Sequence, residues 1–221
     1  MAMPSPATCR SDAAGFVVGL TGGIGSGKTM VSAALQSLGA AVVDTDLIAH
    51  ALSAPGGAAM AAIAAEFGPE FVAPDGALDR ARMRTLAFEN RAAKQRLEAI
   101  LHPLIRQATE DEARRVAAVA PYVVLVIPLL VETGNWRQRV DRVLVVDCPT
   151  EVQIERVQRR SGFDADAVRR IIAQQATREA RLDAADDVIV NQVEFEALVP
   201  RVERLHHLYS RLAAQRRPES L

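Results

Sequence analysis

Residues 16–29 decide the fold of this chain, and they read Phe16-Val-Val-Gly-Leu-Thr-Gly-Gly-Ile-Gly-Ser-Gly-Lys-Thr29. A short apolar, β-branched run, typical of a buried strand, ends in a cluster of glycines. A helical pattern of apolar residues follows at once, at Val31, Ala34, Leu35 and Leu38. The order strand, glycine-rich turn, helix is the context that a phosphate-binding loop requires.

The spacing G-x-x-x-x-G-K-[ST] of such a loop is present at Gly22, Gly27, Lys28 and Thr29. Glycines let backbone N–H groups surround an anion without Cβ clashes, and the following helix directs its positive dipole end at that anion. Lys28 is then expected to reach the β- and γ-phosphates, and the Thr29 hydroxyl to ligate Mg²⁺. The alternative is a glycine-rich turn that binds nothing. Against it, Lys28 and Lys94 are the only lysines of an arginine-rich chain, so the pattern predicts a nucleoside triphosphate site.

The composition is that of an ordinary globular protein, with 221 residues, 49% hydrophobic and 24% charged. A net charge of −1 provides no overall field that would favour nucleic acid or a membrane surface as a partner. Residues 1–14 lack the apolar core of a signal peptide and are predicted to be a disordered leader. Cys9 and Cys148 are too few for a disulfide framework or a zinc site, which favours a cytoplasmic location.

Apolar runs that alternate with helical patterns predict an α/β fold, a parallel five-stranded sheet with helices on both faces. After the first strand, the runs lie at 40–43, 122–127, 142–146 and 187–190.

A single domain is expected over residues 15–221, with two helical additions to its core. Residues 54–120 are too long for one crossover helix and predict an inserted lobe that holds an acceptor substrate, its long helix interrupted around His102-Pro103. Residues 151–182 predict two arginine-bearing helices on either side of a Gly162 hinge, an arrangement that suits a lid. The core segments are expected at about 15–53, 121–150 and 186–221.

Two acids, Asp44 and Asp46, follow the second strand, and ligands in open α/β sheets bind beyond the carboxyl ends of strands. Residues two apart point to opposite sides of a strand, so one acid could face phosphates while the other faces a substrate. The alternative, a turn stabilised by an Asp side chain, is equally compatible with the spacing. His102, as a lone histidine, fits a ligand, a base or a packing residue.

The first lid helix is expected to begin with a capping box, formed by Thr150 and Gln153. Within that helix Arg156, Arg159 and Arg160 share one face. They fit either a lid that closes on phosphates or a solvated, salt-bridged surface.

The last third of the chain carries further polar candidates. The second lid helix is predicted to present Gln174, Arg178 and Arg181 on one stripe. Asn191 follows the fifth strand, where its amide could read the edge of a base. His206 and His207, on a final helix over 193–215, point in different directions and are assigned to the surface.

Together, these motifs resemble the dephospho-coenzyme A kinase family, which catalyses the last step of coenzyme A biosynthesis. The pair formed by Asp-x-Asp and Ile-Pro-Leu-Leu-x-Glu is more selective than the loop alone, which many NTPases share. The resemblance runs from Val18 onward and rests on residues 19–29, 43–46, 78–80, 100–103, 127–132, 153–156, 174–175, 178–181 and 185–191.

The resemblance implies a P-loop kinase that phosphorylates the ribose 3′-hydroxyl of dephospho-coenzyme A, with ATP as donor and Mg²⁺ as cofactor. No nucleic acid or membrane partner is expected, and the state is expected to be a monomer or a weak homo-oligomer. Asp46 matches the family's proposed base, and Asp44 would act beside it or through a water on Mg²⁺ that Thr29 ligates. The β-phosphate would be held by Gly23, Ile24, Gly25, Ser26, Gly27 and Lys28.

Other residues receive supporting roles from the same resemblance. Arg156 and Arg160 are chosen as the lid arginines that stabilise the transferring phosphoryl group. Arg80 and His102 would grip the acceptor, and Asn191 would contact the adenine of ATP.

Two alternatives remain from the residues alone. One is another small-molecule or nucleotide kinase with the same core. The other is a non-catalytic nucleotide-binding protein, although a GTP-binding switch usually carries Asn-Lys-x-Asp. That motif is missing, because Asn90, Asn135 and Asn191 are followed by Arg, Trp and Gln.

Overall fold

The computed structural model describes residues 15–134, 136–192 and 195–216. The leader predicted at 1–14 lies outside the described residues. The chain divides into two compact units, one formed by residues up to Val43 together with Ala113 onward, the other by Asp44–Glu112. Along the described residues, none of the helices is long and apolar enough to cross a membrane.

The first unit is built on a five-stranded sheet of β1 (Val17–Thr21), β2 (Ala41–Asp44), β3 (Val123–Val126), β4 (Arg142–Asp147) and β5 (Asp187–Val190). The strands lie in the order β2-β3-β1-β4-β5. Neighbouring strands pair in parallel, with Leu20 opposite Val126 of β3 and opposite Leu144 of β4. The predicted parallel α/β sheet is therefore confirmed.

The helices of this unit cover both faces of the sheet. Their bounds are α1 (Lys28–Ser37), α6 (Leu130–Thr133), α7 (Thr150–Ser161), α8 (Ala165–Ala173), α9 (Arg178–Asp183) and α10 (Phe195–Arg216), and α5 (Arg91–Ala117) ends in this unit. On one face Val18 and Leu20 pack with Leu35 of α1 and Tyr209 of α10. On the other, the Cα of Gly19 lies so close to Leu130 and Val140 that a Cβ would clash. Since each buried Val or Leu contributes about 1.5–3 kcal/mol, this two-sided core fixes the strands that carry the site.

The second unit is helical and has its own apolar core. It contains α2 (Thr45–Leu52), α3 (Met60–Phe67), a 3₁₀ turn (Pro69–Phe71), α4 (Arg80–Glu89) and the first part of α5. Met60, Ile63, Phe67 and Met83 are among its buried residues. The unit begins at Asp44, earlier than the lobe expected from 54, because α2 follows β2 without a connecting loop.

Three predictions about the helices are wrong. Helix α5 runs unbroken through Pro103, because Leu101 and Leu104 on either side pack against the core of the second unit. Thr150 is the first helical residue rather than a cap, and Pro149 precedes it without a side-chain cap.

The second lid helix is in fact two helices, which is the third error. Helix α8 ends with Gln174 as its C-cap, and α9 begins after Thr177, whose hydroxyl accepts from the N–H of Ala180. The stripe predicted for Gln174, Arg178 and Arg181 therefore does not form on one helix.

Candidate active site

The glycine-rich turn joins β1 to α1 at the carboxyl end of the strand. Gly27 is the N-cap of α1 with φ 93° and ψ 25°, a left-handed conformation that favours glycine. A Cβ at this position would also overlap the side-chain amide of Asn191. Gly27 is therefore required both by its backbone conformation and by its neighbour.

Lys28 opens helix α1 and folds its side chain back over the turn. Its Nζ donates to the carbonyl oxygens of Gly22 at 2.8 Å and Gly23 at 3.0 Å. The ammonium thus lies within the loop, where a phosphate-binding lysine is expected. Thr29 follows in the first turn of α1 and is exposed.

Asn191 secures the loop from the far end of the sheet. It is fully buried, and its Nδ2 donates to the carbonyl of Ser26 at 2.8 Å. Its backbone N–H donates to the carbonyl of Asp147 at the end of β4. The adenine contact expected for Asn191 stays a prediction, and the structure gives this side chain a second role that the sequence pattern did not reveal.

The two chosen lid arginines differ in their surroundings. Arg156 is half-buried and donates to the backbone carbonyl of Asn191 at 3.2 Å and to its Oδ1 at 3.4 Å. Arg160 is exposed, with its Nε 3.4 Å from the hydroxyl of Ser161. Arg159 pairs with Glu155 on the surface, so the salt-bridged interpretation of this face fits Arg159.

A buried acid at the end of β4 was not among the candidates. Asp147 is 4% exposed and accepts two hydrogen bonds from Arg178, at 2.8 and 2.7 Å. Hydrogen bonding to Asp147 raises the pKa of the Arg178 guanidinium above its ordinary value. In the sequence, the R-x-x-R spacing of Arg178 and Arg181 was the signal that could have pointed to a partner acid for Arg178. Arg181 is also buried, and it donates to the carbonyl of Ala176.

In the second unit, Asp44 is the last residue of β2 and the N-cap of α2. Its Oδ1 accepts from the N–H groups of Asp46 at 2.8 Å and Leu47 at 3.4 Å. Asp44 therefore hydrogen-bonds to its own local backbone, as the turn interpretation predicts, and does so as the cap of a helix. Its expected role beside Asp46 or Mg²⁺ stays a prediction. Asp46 lies in the first turn of α2 and is exposed.

Arg80 and His102 also belong to the second unit. Arg80 is half-buried, and its Nη2 donates to the hydroxyl of Ser53 at 2.8 Å and the carbonyl of His50 at 3.3 Å. It thereby ties the start of α4 to the end of α2. His102 is exposed on α5. Their expected roles toward an acceptor stay predictions.

In this parallel sheet, the first strand is followed by a glycine-rich loop and by a helix that begins with Lys28 and Thr29. This arrangement defines a P-loop nucleotide-binding protein. A family model described as dephospho-CoA kinase matches residues 16–196. The chain belongs to the dephospho-CoA kinase family, as the sequence motifs predict.

Individual relatives agree with this assignment. The chain is 61% identical over 203 residues to a dephospho-CoA kinase of Burkholderia lata, covering 91% of this chain and 100% of the relative. It is 54% identical over 201 residues to a dephospho-CoA kinase of Dechloromonas aromatica, covering 91% and 96%. A crystal structure of a Thermus thermophilus protein, 33% identical, superposes with a TM-score of 0.76 over 88% of this chain and 97% of that one. A dephospho-CoA kinase from Campylobacter jejuni shares the fold, at 23% identity and a TM-score of 0.67, over 88% of this chain and 97% of that one.

Proposed function

We propose that this chain transfers the γ-phosphoryl group of ATP to the ribose 3′-hydroxyl of dephospho-coenzyme A, releasing ADP and coenzyme A. The observation that carries the proposal is a phosphate-binding loop with its lysine in place, in a chain that matches a dephospho-CoA kinase along the relative's whole length. Phosphoryl transfer requires mainly positioning and neutralisation of charge.

The donor phosphates would be held by the loop of residues 23–28. Backbone N–H groups at the start of α1 carry the positive end of the helix dipole. The Lys28 ammonium, held over the loop by the carbonyls of Gly22 and Gly23, would bind the β- and γ-phosphate oxygens. The adenine would lie beside Asn191 at the end of β5, whose buried side chain also holds the Ser26 carbonyl.

The residues present fit a Mg²⁺ ion shared with the phosphates. Such an ion takes one or two protein oxygens and completes its octahedron with phosphate oxygens and water. The exposed Thr29 hydroxyl next to the glycine cradle is a suitable oxygen, and Asp44 would contribute through a water. When bound, Mg²⁺ would neutralise the charge that develops on the phosphoryl oxygens.

The acceptor would be activated by Asp46, which would take the proton of the 3′-hydroxyl and orient its oxygen for in-line attack. The Asp46 carboxylate is exposed in the first turn of α2, where a bound substrate can reach it. Arg80 and His102 would hold the acceptor's phosphates or adenosine. Arg156 and Arg160 would stabilise the transferring group.

The decisive experiment is a coupled assay of ADP release with dephospho-coenzyme A and a panel of nucleoside monophosphates as acceptors. We expect dephospho-coenzyme A to be strongly preferred. Preference for a nucleoside monophosphate would assign another kinase of the same core. Nucleotide binding without ADP release for any acceptor would assign a non-catalytic protein.

Two further proposals concern the location and the oligomeric state of the protein. We propose a cytoplasmic location, on the grounds of cysteine usage and the metabolic role of the family. A monomer or weak homo-oligomer is proposed as the working form, and analytical ultracentrifugation would test it.

A further inference from the structure

Gln175, which the proposed reaction does not use, contacts the phosphate-binding loop directly. Its Oε1 accepts a hydrogen bond from the backbone N–H of Ile24 at 2.9 Å, across 151 positions of sequence. Gln175 directly follows the C-cap of α8 and lies in the short connection to α9. A loop amide is thus held by a side chain from the predicted lid region.

The same part of the loop is also packed against the helices of that region. The Ile24 side chain joins the apolar cluster of Ile154, Val157 and Val168, which belong to α7 and α8. Gly25, with φ 71°, lies so close to α7 that a Cβ would stand 2.7 Å from the carbonyl oxygen of Gln153. The loop tip and these helices therefore form one packed body.

The connection that carries Gln175 is itself fixed at two further points. The N–H of Ala176 donates to Glu132 of α6 at 2.8 Å. Arg178 makes its two-bond ion pair with the buried Asp147. The backbone around Gln175 is therefore held in place, and this fixes the position from which its side chain reaches Ile24.

One peptide unit transmits this contact to Lys28. The N–H of Ile24 and the carbonyl of Gly23 belong to the same planar peptide group. That carbonyl accepts from Lys28 Nζ at 3.0 Å and from the N–H of Ser26 at 3.2 Å. Rotation of the peptide plane would move both groups together, so the bond from Ile24 to Gln175 sets the direction in which the Gly23 carbonyl points.

We propose that Gln175 is a positioning residue for phosphoryl transfer, acting through the Gly23–Ile24 peptide on the loop and on Lys28. The proposal rests on the proposed nucleotide-binding role of the loop. In this proposal, the connection between α8 and α9 holds the loop in the conformation that binds the triphosphate. Binding therefore does not have to include the cost of ordering the loop.

The test compares Gln175→Met, which keeps the length of the side chain but loses the acceptor oxygen, with Gln174→Met at the exposed neighbouring glutamine. We expect Gln175→Met to weaken ADP binding about three- to tenfold in calorimetric titration, the effect of one hydrogen bond. It should lower kcat/KM for ATP similarly and leave KM for dephospho-coenzyme A unchanged. Gln174→Met should match the wild type.

A double-mutant cycle with Lys28→Met separates positioning from general packing. If Gln175 acts through Lys28, Gln175→Met should cost far less ADP affinity in the Lys28→Met background than alone. Equal costs in both backgrounds, or equal losses for both glutamine variants, would overturn the proposal. ADP titration needs no acceptor, so an error in the proposed reaction would leave this result readable.

Discussion

Asn191 donates its side-chain amide to the carbonyl of Ser26 over 2.8 Å, although 165 positions separate the two residues. Asn191 is fully buried, and its backbone carbonyl and its Oδ1 both accept hydrogen bonds from the Arg156 guanidinium. One residue after the last strand thus holds the phosphate-binding loop and an arginine of the predicted lid. The loop's shape therefore depends on the far end of the chain as well as on its own glycines.

Replacing Asn191 with Asp keeps the shape of the side chain but removes the donor to Ser26. We expect the free energy of unfolding to fall by about 1–3 kcal/mol in urea denaturation, because a buried carbonyl loses its partner. ATP affinity should fall as well. Asn90→Asp is the matched control, since Asn90 uses its Oδ1 as an acceptor from the N–H of Ala93 and Asp retains that oxygen. Equal stability of the two variants would contradict the expected loss.

Lys28→Met removes the ammonium while keeping the length of the side chain. We expect kcat/KM for ATP to fall about 10²- to 10³-fold in the coupled ADP assay, the scale found when one group that stabilises transition-state charge is removed. Lys94→Met is the control at the other lysine, which is exposed and pairs with Glu98 on α5. Near-normal turnover of Lys28→Met would contradict the assignment of the loop.

The short-range part of the site was predictable, whereas the contacts that support it were not. Strand, glycines, Lys28 and Thr29 are consecutive, so steric freedom and the helix dipole specify the loop locally. Gln175 and Asn191 reach the same loop from 151 and 165 positions away, and spacing contains no information about such distances. His206 illustrates the same limit, because its neighbour Tyr122 lies 84 positions earlier. His206 is partly buried beside Tyr122, so its assignment to the surface holds only in part, while His207 is exposed as predicted.

Substitutions at Asp44 and Asp46 should have different effects, the first on stability and the second on turnover. Asp44→Ala removes the cap of α2 and should cost about 0.5–2 kcal/mol of stability, whereas Asn, itself a good cap, should cost less. Asp46→Asn should lower kcat about 100-fold or more through loss of the base, with KM for ATP little changed. An unchanged rate for Asp46→Asn would remove it from the base role. Equal loss of activity in Asp44→Asn and Asp44→Ala would mean that the charge of Asp44 matters beyond capping.

The histidine at position 206 should make stability depend on pH. Its Nδ1 lies 3.1 Å from the Tyr122 hydroxyl, and burial, with a smaller effect of His207, lowers the pKa of His206 below its ordinary value of 6.5. The unfolded chain therefore binds this proton more readily than the folded one, so stability is retained above about pH 6.5 and falls as the pH drops below it. We expect the free energy of unfolding, measured in urea between pH 7.5 and 5.5, to fall more steeply for the wild type than for His206→Gln. His207→Gln, at the exposed neighbour, should keep most of the wild-type slope, and identical slopes for the wild type and His206→Gln would rule out this histidine as a source of the pH dependence.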